Sequence, residues 1–160
     1  MNDFKILKAT FFVVLFLATS ATSVNAQDKE SAVKDMVEAQ LYTFHARTAL
    51  PQSGPSKVLT TDYYLKVIKD SIVCELPFYG RAYSSSYGST SGGFHFTSTK
   101  FDYASKPGKK GGWEIVIKPK DVQDFRQFSL SLSTSGFGTL QVLSNNRQPI
   151  SFTGDITSMK

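Results

Sequence analysis

From residue 41 onward, apolar residues recur at every second position, in runs separated by nothing longer than turn-rich loops. Period-two alternation marks a strand with one buried face, and strands joined by short turns pair antiparallel. Ile72, Cys74 and Leu76 share one face, as do Trp113, Ile115 and Ile117, with Glu114, Val116 and Lys118 opposite. Phe128, Leu130 and Leu132 alternate with Ser129, Ser131 and Ser133; Leu140 and Val142 continue the pattern, and Ile150, Phe152 and Ile156 close it. Leu41–Ala46 reads as a first strand, and Tyr63–Ile68 and Ile72–Phe78 as a hairpin about Lys69-Asp70-Ser71. Phe94-His95-Phe96 and Phe101-Asp102-Tyr103 alternate on opposite parity, which predicts a bulge or bend between them. No helical stretch separates these strands, so a parallel sheet is excluded in favour of an all-β, mainly antiparallel domain over 40–160. About eight or nine strands are expected, as a β-sandwich or a partly closed barrel; alternation leaves both open. The one helix-like stretch is the short N-terminal segment 27–39, where Ala32, Val33, Met36 and Val37 make a weak apolar stripe.

Ahead of the domain, Lys5 and Lys8 outweigh Asp3, and the unbroken run Ala9–Ala18 is apolar apart from Thr10. Val24-Asn25-Ala26 places small side chains where a signal peptidase reads them, so residues 1–26 are expected to be a cleaved export signal. A spanning helix needs about 20 apolar residues, roughly twice this run. No Cys follows it to carry a lipid, so the expected product is soluble, periplasmic or secreted, with no transmembrane segment after cleavage. Removing 26 of 160 residues takes Lys plus Arg from 18 to 16 and Asp plus Glu from 13 to 12, a net charge of +4. Those charges are scattered apart from Lys106, Lys109 and Lys110 in one loop, and nucleic-acid binding would need a clustered stripe.

Chemistry-bearing patterns are few. Cys74 is the only cysteine, which rules out an internal disulfide and a Cys-rich metal site, and its alternation with Ile72 and Leu76 predicts a buried thiol. His45 and His95 alternate with aromatic residues, and neither sits in a recognisable triad or metal-ligand spacing. Glu75 and Glu114 lie inside strands but on the wet face, a poor position for a glycosidase pair. The strongest local oddity is Leu76–Tyr87, where Arg81 lies among Tyr79, Tyr83 and Tyr87. A planar guanidinium among tyrosine faces suits a sugar, a peptide or a carboxylate, so these four residues are the candidate ligand contacts. The competing reading folds Tyr79 and Tyr83 down as a lid on the core and pairs Arg81 with a carboxylate.

Leu76-Pro77-Phe78-Tyr79-Gly80-Arg81-Ala82-Tyr83, Gly92-Gly93-Phe94-His95-Phe96-Thr97 and Lys110-Gly111-Gly112-Trp113-Glu114-Ile115 occur in that order. Ser135–Leu140, Asn146–Phe152 and Gly154 follow. In order and spacing these stretches resemble the exported Bacteroides-type family called domain of unknown function 4251, over nearly all of 33–156. The resemblance implies a periplasmic or envelope location, and it carries no activity and no catalytic residues. The expected function is a non-catalytic binding or envelope-accessory domain for a glycan, peptide or lipid, with no catalytic residue, metal or cofactor. The alternatives are a small hydrolase of envelope glycan or peptide and a lipid-carrying β-barrel.

Overall fold

The structure is a computed structural model that describes residues 24–83 and 92–159. Helix α1 spans Val24–Ala39, and nine strands follow: β1 Tyr42–Pro51, β2 Lys57–Ile68, β3 Ser71–Leu76, β4 Phe94–Ser98, β5 Phe101–Pro107, β6 Trp113–Pro119, β7 Phe125–Leu132, β8 Phe137–Ser144 and β9 Ile150–Ser158. The expected export signal lies outside the described residues except for Val24–Ala26, the first turn of α1.

All nine strands form one antiparallel sheet in the order β4-β3-β2-β1-β9-β8-β7-β6-β5. Every neighbour in that row is a neighbour in sequence, except that the first strand pairs with the last: Tyr42 faces Ser158 and Pro51 faces Ile150. The two edge strands, β4 and β5, are joined by Thr99-Lys100 alone, so the row curls until its edges meet at that corner. The result is a nearly closed barrel-like sheet rather than a sandwich. The opposed parities of Phe94–Phe96 and Phe101–Tyr103 belong to this corner, which separates two strands, and not to a bulge within one.

Bulges do occur elsewhere. In β1 the register slips between Ala46 and Thr48 against both neighbours: against β9 Arg47 is the extra residue, and against β2 the extra residues lie in β2, between Val58 and Tyr63. Buried Ala46 and buried Ala49 therefore both face inward although they are of opposite parity. A second slip at Phe125/Gln127 bends β7 against β8. Gly154 sits opposite Ala46, and a β-carbon there would meet the His45 carbonyl oxygen at 1.9 Å. Bulge and glycine together bring the β1 and β9 backbones close where the sheet bends.

The interior is filled by side chains. Tyr42, Phe44, Leu65, Phe128, Leu130, Leu140 and Phe152 are fully buried, as is Cys74. Helix α1 adds Val33 and Val37, one turn apart on its inward face. It ends in a left-handed Gln40 (φ 52°), with the Gln40 N–H bonded to the Val37 carbonyl and the Leu41 N–H to the Met36 carbonyl. This is the paired-bond arrangement that satisfies the last carbonyls of a helix. The Tyr103 hydroxyl on β5 donates to the Val37 carbonyl at 3.1 Å and lies 3.4 Å from the buried Tyr42 hydroxyl. Burial pushes the Tyr42 and Tyr103 phenols above their ordinary range, so both stay neutral at physiological pH.

Candidate functional site

The segment after β3 carries the residues singled out from the sequence. Pro77 is buried and ends the strand, and Arg81–Tyr83 then runs alongside the β8–β9 turn. The Arg81 N–H donates to Gln148 Oε1 (3.2 Å), the Gln148 N–H donates to the Arg81 carbonyl (3.1 Å), and the Tyr83 N–H donates to the Asn146 carbonyl (2.7 Å). The backbone is thus held while the side chains project outward. Arg81 is exposed and makes no ion pair among the described residues, and Tyr83 is 70% exposed. Tyr79 is half-buried, with the Lys57 ammonium 5.1 Å from its ring centre. Tyr87 lies outside the described residues. The lid reading therefore fails for Tyr83, and Arg81 has no carboxylate partner among the described residues.

The arginine that the fold builds into a site is Arg147, in the turn that Arg81–Tyr83 pairs with. Its guanidinium carbon lies 5.1 Å from the ring centres of both Phe78 and Phe94, and its Nη1 donates to the Gly93 carbonyl at 3.0 Å. Two aromatic faces and one backbone acceptor fix the plane of the group. Phe94 in turn packs on Phe125, Phe125 on Phe96 (ring centres 4.2 Å apart) and on Phe128. These rings bridge from β4 across the open seam of the barrel to β7.

Above that aromatic floor lies a cleft of about 470 Å³, walled by Gly93–Phe96 on one side and Asp121–Phe125 on the other, with Ser144 and Arg147 at its end. Two sets of bonds hold the second wall. The Asp121 carboxylate accepts from Ser98 Oγ (2.5 Å) and from the Thr99 (2.9 Å) and Lys100 (3.2 Å) N–H groups, which pins the β4–β5 corner to the β6–β7 loop. The Ser98 hydroxyl first, and then these amides, hold that carboxyl below its usual range. At the other end Asp124 accepts from Asn146 Nδ2 (2.6 Å) through its carboxylate and from Ser144 Oγ (2.8 Å) through its carbonyl. On the rim His95 is hydrogen-bonded through Nδ1 to Glu75, its cross-strand partner on β3.

The cleft offers a fixed cation, amide and carboxylate groups and ring faces, which is equipment for recognition. Its one hydroxyl, Ser144, is committed to a backbone carbonyl and is not paired with His95. Tyr79, Arg81 and Tyr83 stand beside this cleft and do not line it.

A second polar constellation was not legible in sequence. His45 on β1 is bonded through Nδ1 to Asp62 on β2 (2.8 Å) and through Nε2 to Thr157 on β9 (3.1 Å), and Arg47 is paired with Asp155 close by. Asp62, His45 and Thr157 stand in the order of an acid–base–hydroxyl relay. They lie on the outer face of three neighbouring strands, however, and Asp62 is 70% exposed. None of the three clefts identified borders them. Glu114 accepts from Ser131 on the same outer surface and is far in the strand order from Glu75.

Among the described residues, no group of three or more His, Cys, Asp or Glu side chains gathers to hold a metal, and no helix is long and apolar enough to cross a membrane. The sequence profile of the family described as domain of unknown function DUF4251 matches residues 24–156. No curated protein sequence matches the chain. Among solved structures, the chain is similar to a DUF4251 family protein from Bacteroides eggerthii DSM 20697, seen in a crystal structure at 1.95 Å resolution. The TM-score is 0.60 at 15% identity, over 81% of this chain and 87% of the other. With the profile spanning most of its length, the chain belongs to the DUF4251 family.

Proposed function

We propose that this member of the DUF4251 family is an exported, non-catalytic binding domain that works in the periplasm or outside the cell and holds its ligand in the cleft at the barrel seam. The observation that carries the reading is Arg147, fixed between Phe78 and Phe94 at the end of a concave wall of about 470 Å³. A buried or clamped arginine beside aromatic faces is the combination that dominates binding energy at recognition sites. Arg81 and Tyr83, whose backbone is tied to the same turn, extend the surface on one side, with Tyr79 and Tyr87 in the same stretch of chain. Glycans and peptides both suit this mixture of planar cation, amides and rings.

The packed interior leaves the lipid-carrier alternative without a chamber among the described residues, since Phe44, Phe128, Phe152 and the Leu and Ile side chains fill it. For the hydrolase alternative, the Asp62–His45–Thr157 chain supplies the right order of groups on a sheet face that lines none of the three clefts described, and a hydrolase needs the substrate held there.

Binding to glycan and peptide arrays tests the proposal, with Arg147→Gln and Gln123→Trp as variants. Gln123 is exposed on the cleft wall, so the larger ring fills the cleft with little burden on the fold. Both variants are expected to bind at least tenfold more weakly, with Gln123→Trp unchanged in melting temperature. Binding that survives both changes and is lost in Arg81→Ala or Tyr83→Ala would move the ligand off the cleft and onto the neighbouring strip.

A further inference from the structure

The two edges of the sheet are treated very differently. Strand β5 carries the usual protections against adding another strand: an ion pair of Asp102 with Lys120 at its start, and exposed Lys106 and Pro107 at its end. Strand β4, Phe94-His95-Phe96-Thr97-Ser98, has no lysine and no proline, and its register with β3 runs from Leu76↔Phe94 to Ile72↔Ser98 without a slip. Among the described residues it pairs with β3 only, so every second residue turns its N–H and C=O away from the sheet. The side it turns them to is the cleft, whose opposite wall is Asp121–Phe125.

From this we infer that the ligand of the cleft is an extended peptide with an acidic residue that meets Arg147, which adds to the sheet as a strand along β4. The inference rests on the cleft reading above and names its ligand class. Five residues of β4 span about 16 Å at about 3.3 Å each, room for a short strand laid about 4.8 Å away. Main-chain hydrogen bonds to the open edge supply the affinity, and the pockets on either side supply the preference. The preference here is for one negative charge at the Arg147 end, because Asp121 and Asp124 on the facing wall disfavour carboxylates further along. Arg147 gives one of its five N–H donors to Gly93 and presents a planar cation at the strand's beginning. The chain after residue 26 also carries a net charge of +4, which draws an acidic residue in. Below the bound strand, the rings of Phe94, Phe96 and Phe125 form a floor for one apolar side chain.

The test starts from an array of decapeptides probed with the full mature chain. The best binder is then remade with a single backbone N-methyl group at each position in turn. Strand addition predicts a loss of at least tenfold at alternate positions and little change between them, because only every second amide donates to β4. Hydrogen exchange should slow at alternate amides of Phe94–Ser98 when that peptide is present, and replacing the acidic residue that meets Arg147 by its amide should weaken it. Binding that ignores N-methylation, or protection that falls outside β4, overturns the inference. A glycan that binds and is lost in Arg147→Gln, with no peptide bound, also overturns it while leaving the cleft reading standing; if neither ligand class binds, both fall.

Discussion

Asp121 is the residue on which closure of the barrel turns. Its carboxylate collects two hydroxyls and two backbone N–H groups from Ser98, Thr99 and Lys100, the three residues that carry the chain from one sheet edge to the other. Hydrogen bonds to the ionised form depress its pKa, so the stabilisation they give is fully present above the ordinary carboxylate value of about 3.9 and is lost as pH falls through the depressed one. The prediction is a thermal-melting series from neutral to acid pH on wild type and Asp121→Asn. The wild type should be the more stable at neutral pH, and the gap should begin to narrow at about pH 4 and go on narrowing as the pH falls further; a gap that persists unchanged in acid would show that the charge contributes nothing. Sequence reading had no access to this residue, because an Asp after Lys120 in a turn looks like any solvated turn residue. It could read Cys74, whose neighbours Ile72 and Leu76 set its face: the thiol is fully buried, and burial pushes its pKa well up.

At the scale of elements, the strands that announced themselves are those with one dry face. Ile115 and Ile117 in β6, Phe128 and Leu130 in β7, Leu140 and Val142 in β8, and Ile150 and Phe152 in β9 all point inward as their alternation requires. The polar first half of β2, Lys57–Asp62, is mostly exposed, so it offers no alternation and the strand reads short from its residues. β1 reads short as well, because the bulge at Arg47 breaks its parity halfway along. The same bulge makes a testable demand on β9. Gly154→Ala would push a methyl group to 1.9 Å from the His45 carbonyl oxygen and about 3 Å from the Phe44 ring. Neither neighbour can yield, since one is strand backbone and the other is fully buried, so a loss of about 1–3 kcal/mol is expected from overpacking, with separation of β1 from β9 at the upper end. Denaturant titration measures it; Gly92→Ala, where nothing lies within 4 Å, is the control and should change stability little. The candidate site was legible only in part for a related reason. Its walls come from 93–96, 121–125 and 144–147, three segments with no local pattern in common, and Arg147 sits in what reads as a plain Asn-Asn-Arg turn. Arg81 drew notice because its tyrosines are adjacent in sequence, whereas the phenylalanines that clamp Arg147 are about 50 to 70 residues away.

For the whole molecule, the decisive pairing is the one that sequence order postpones longest. β1 cannot complete its second ladder until β9 has been made, a separation of 108 residues between Arg47 and its partner Asp155. Contacts of that range must meet their loop-closure cost before they return any stability, which favours slow folding. β9 also brings Phe152, Ile150 and Ile156 into the core. Losing such side chains costs about 3–5 kcal/mol for a phenylalanine and about 2–5 for each isoleucine. The sum, about 7–15 kcal/mol, matches the entire stability of a typical domain, about 5–15 kcal/mol. A chain that stops at Ser144 should therefore show no cooperative thermal transition by circular dichroism. A chain that starts at Gln40 loses only Val33 and Val37 of α1 from the core and keeps all nine strands, so it should melt at a lower temperature but still cooperatively. If the C-terminal truncation melted cooperatively, the β1–β9 pairing would not be what closes this barrel. If the N-terminal one failed to melt cooperatively, α1 would be as necessary to the core as the strand.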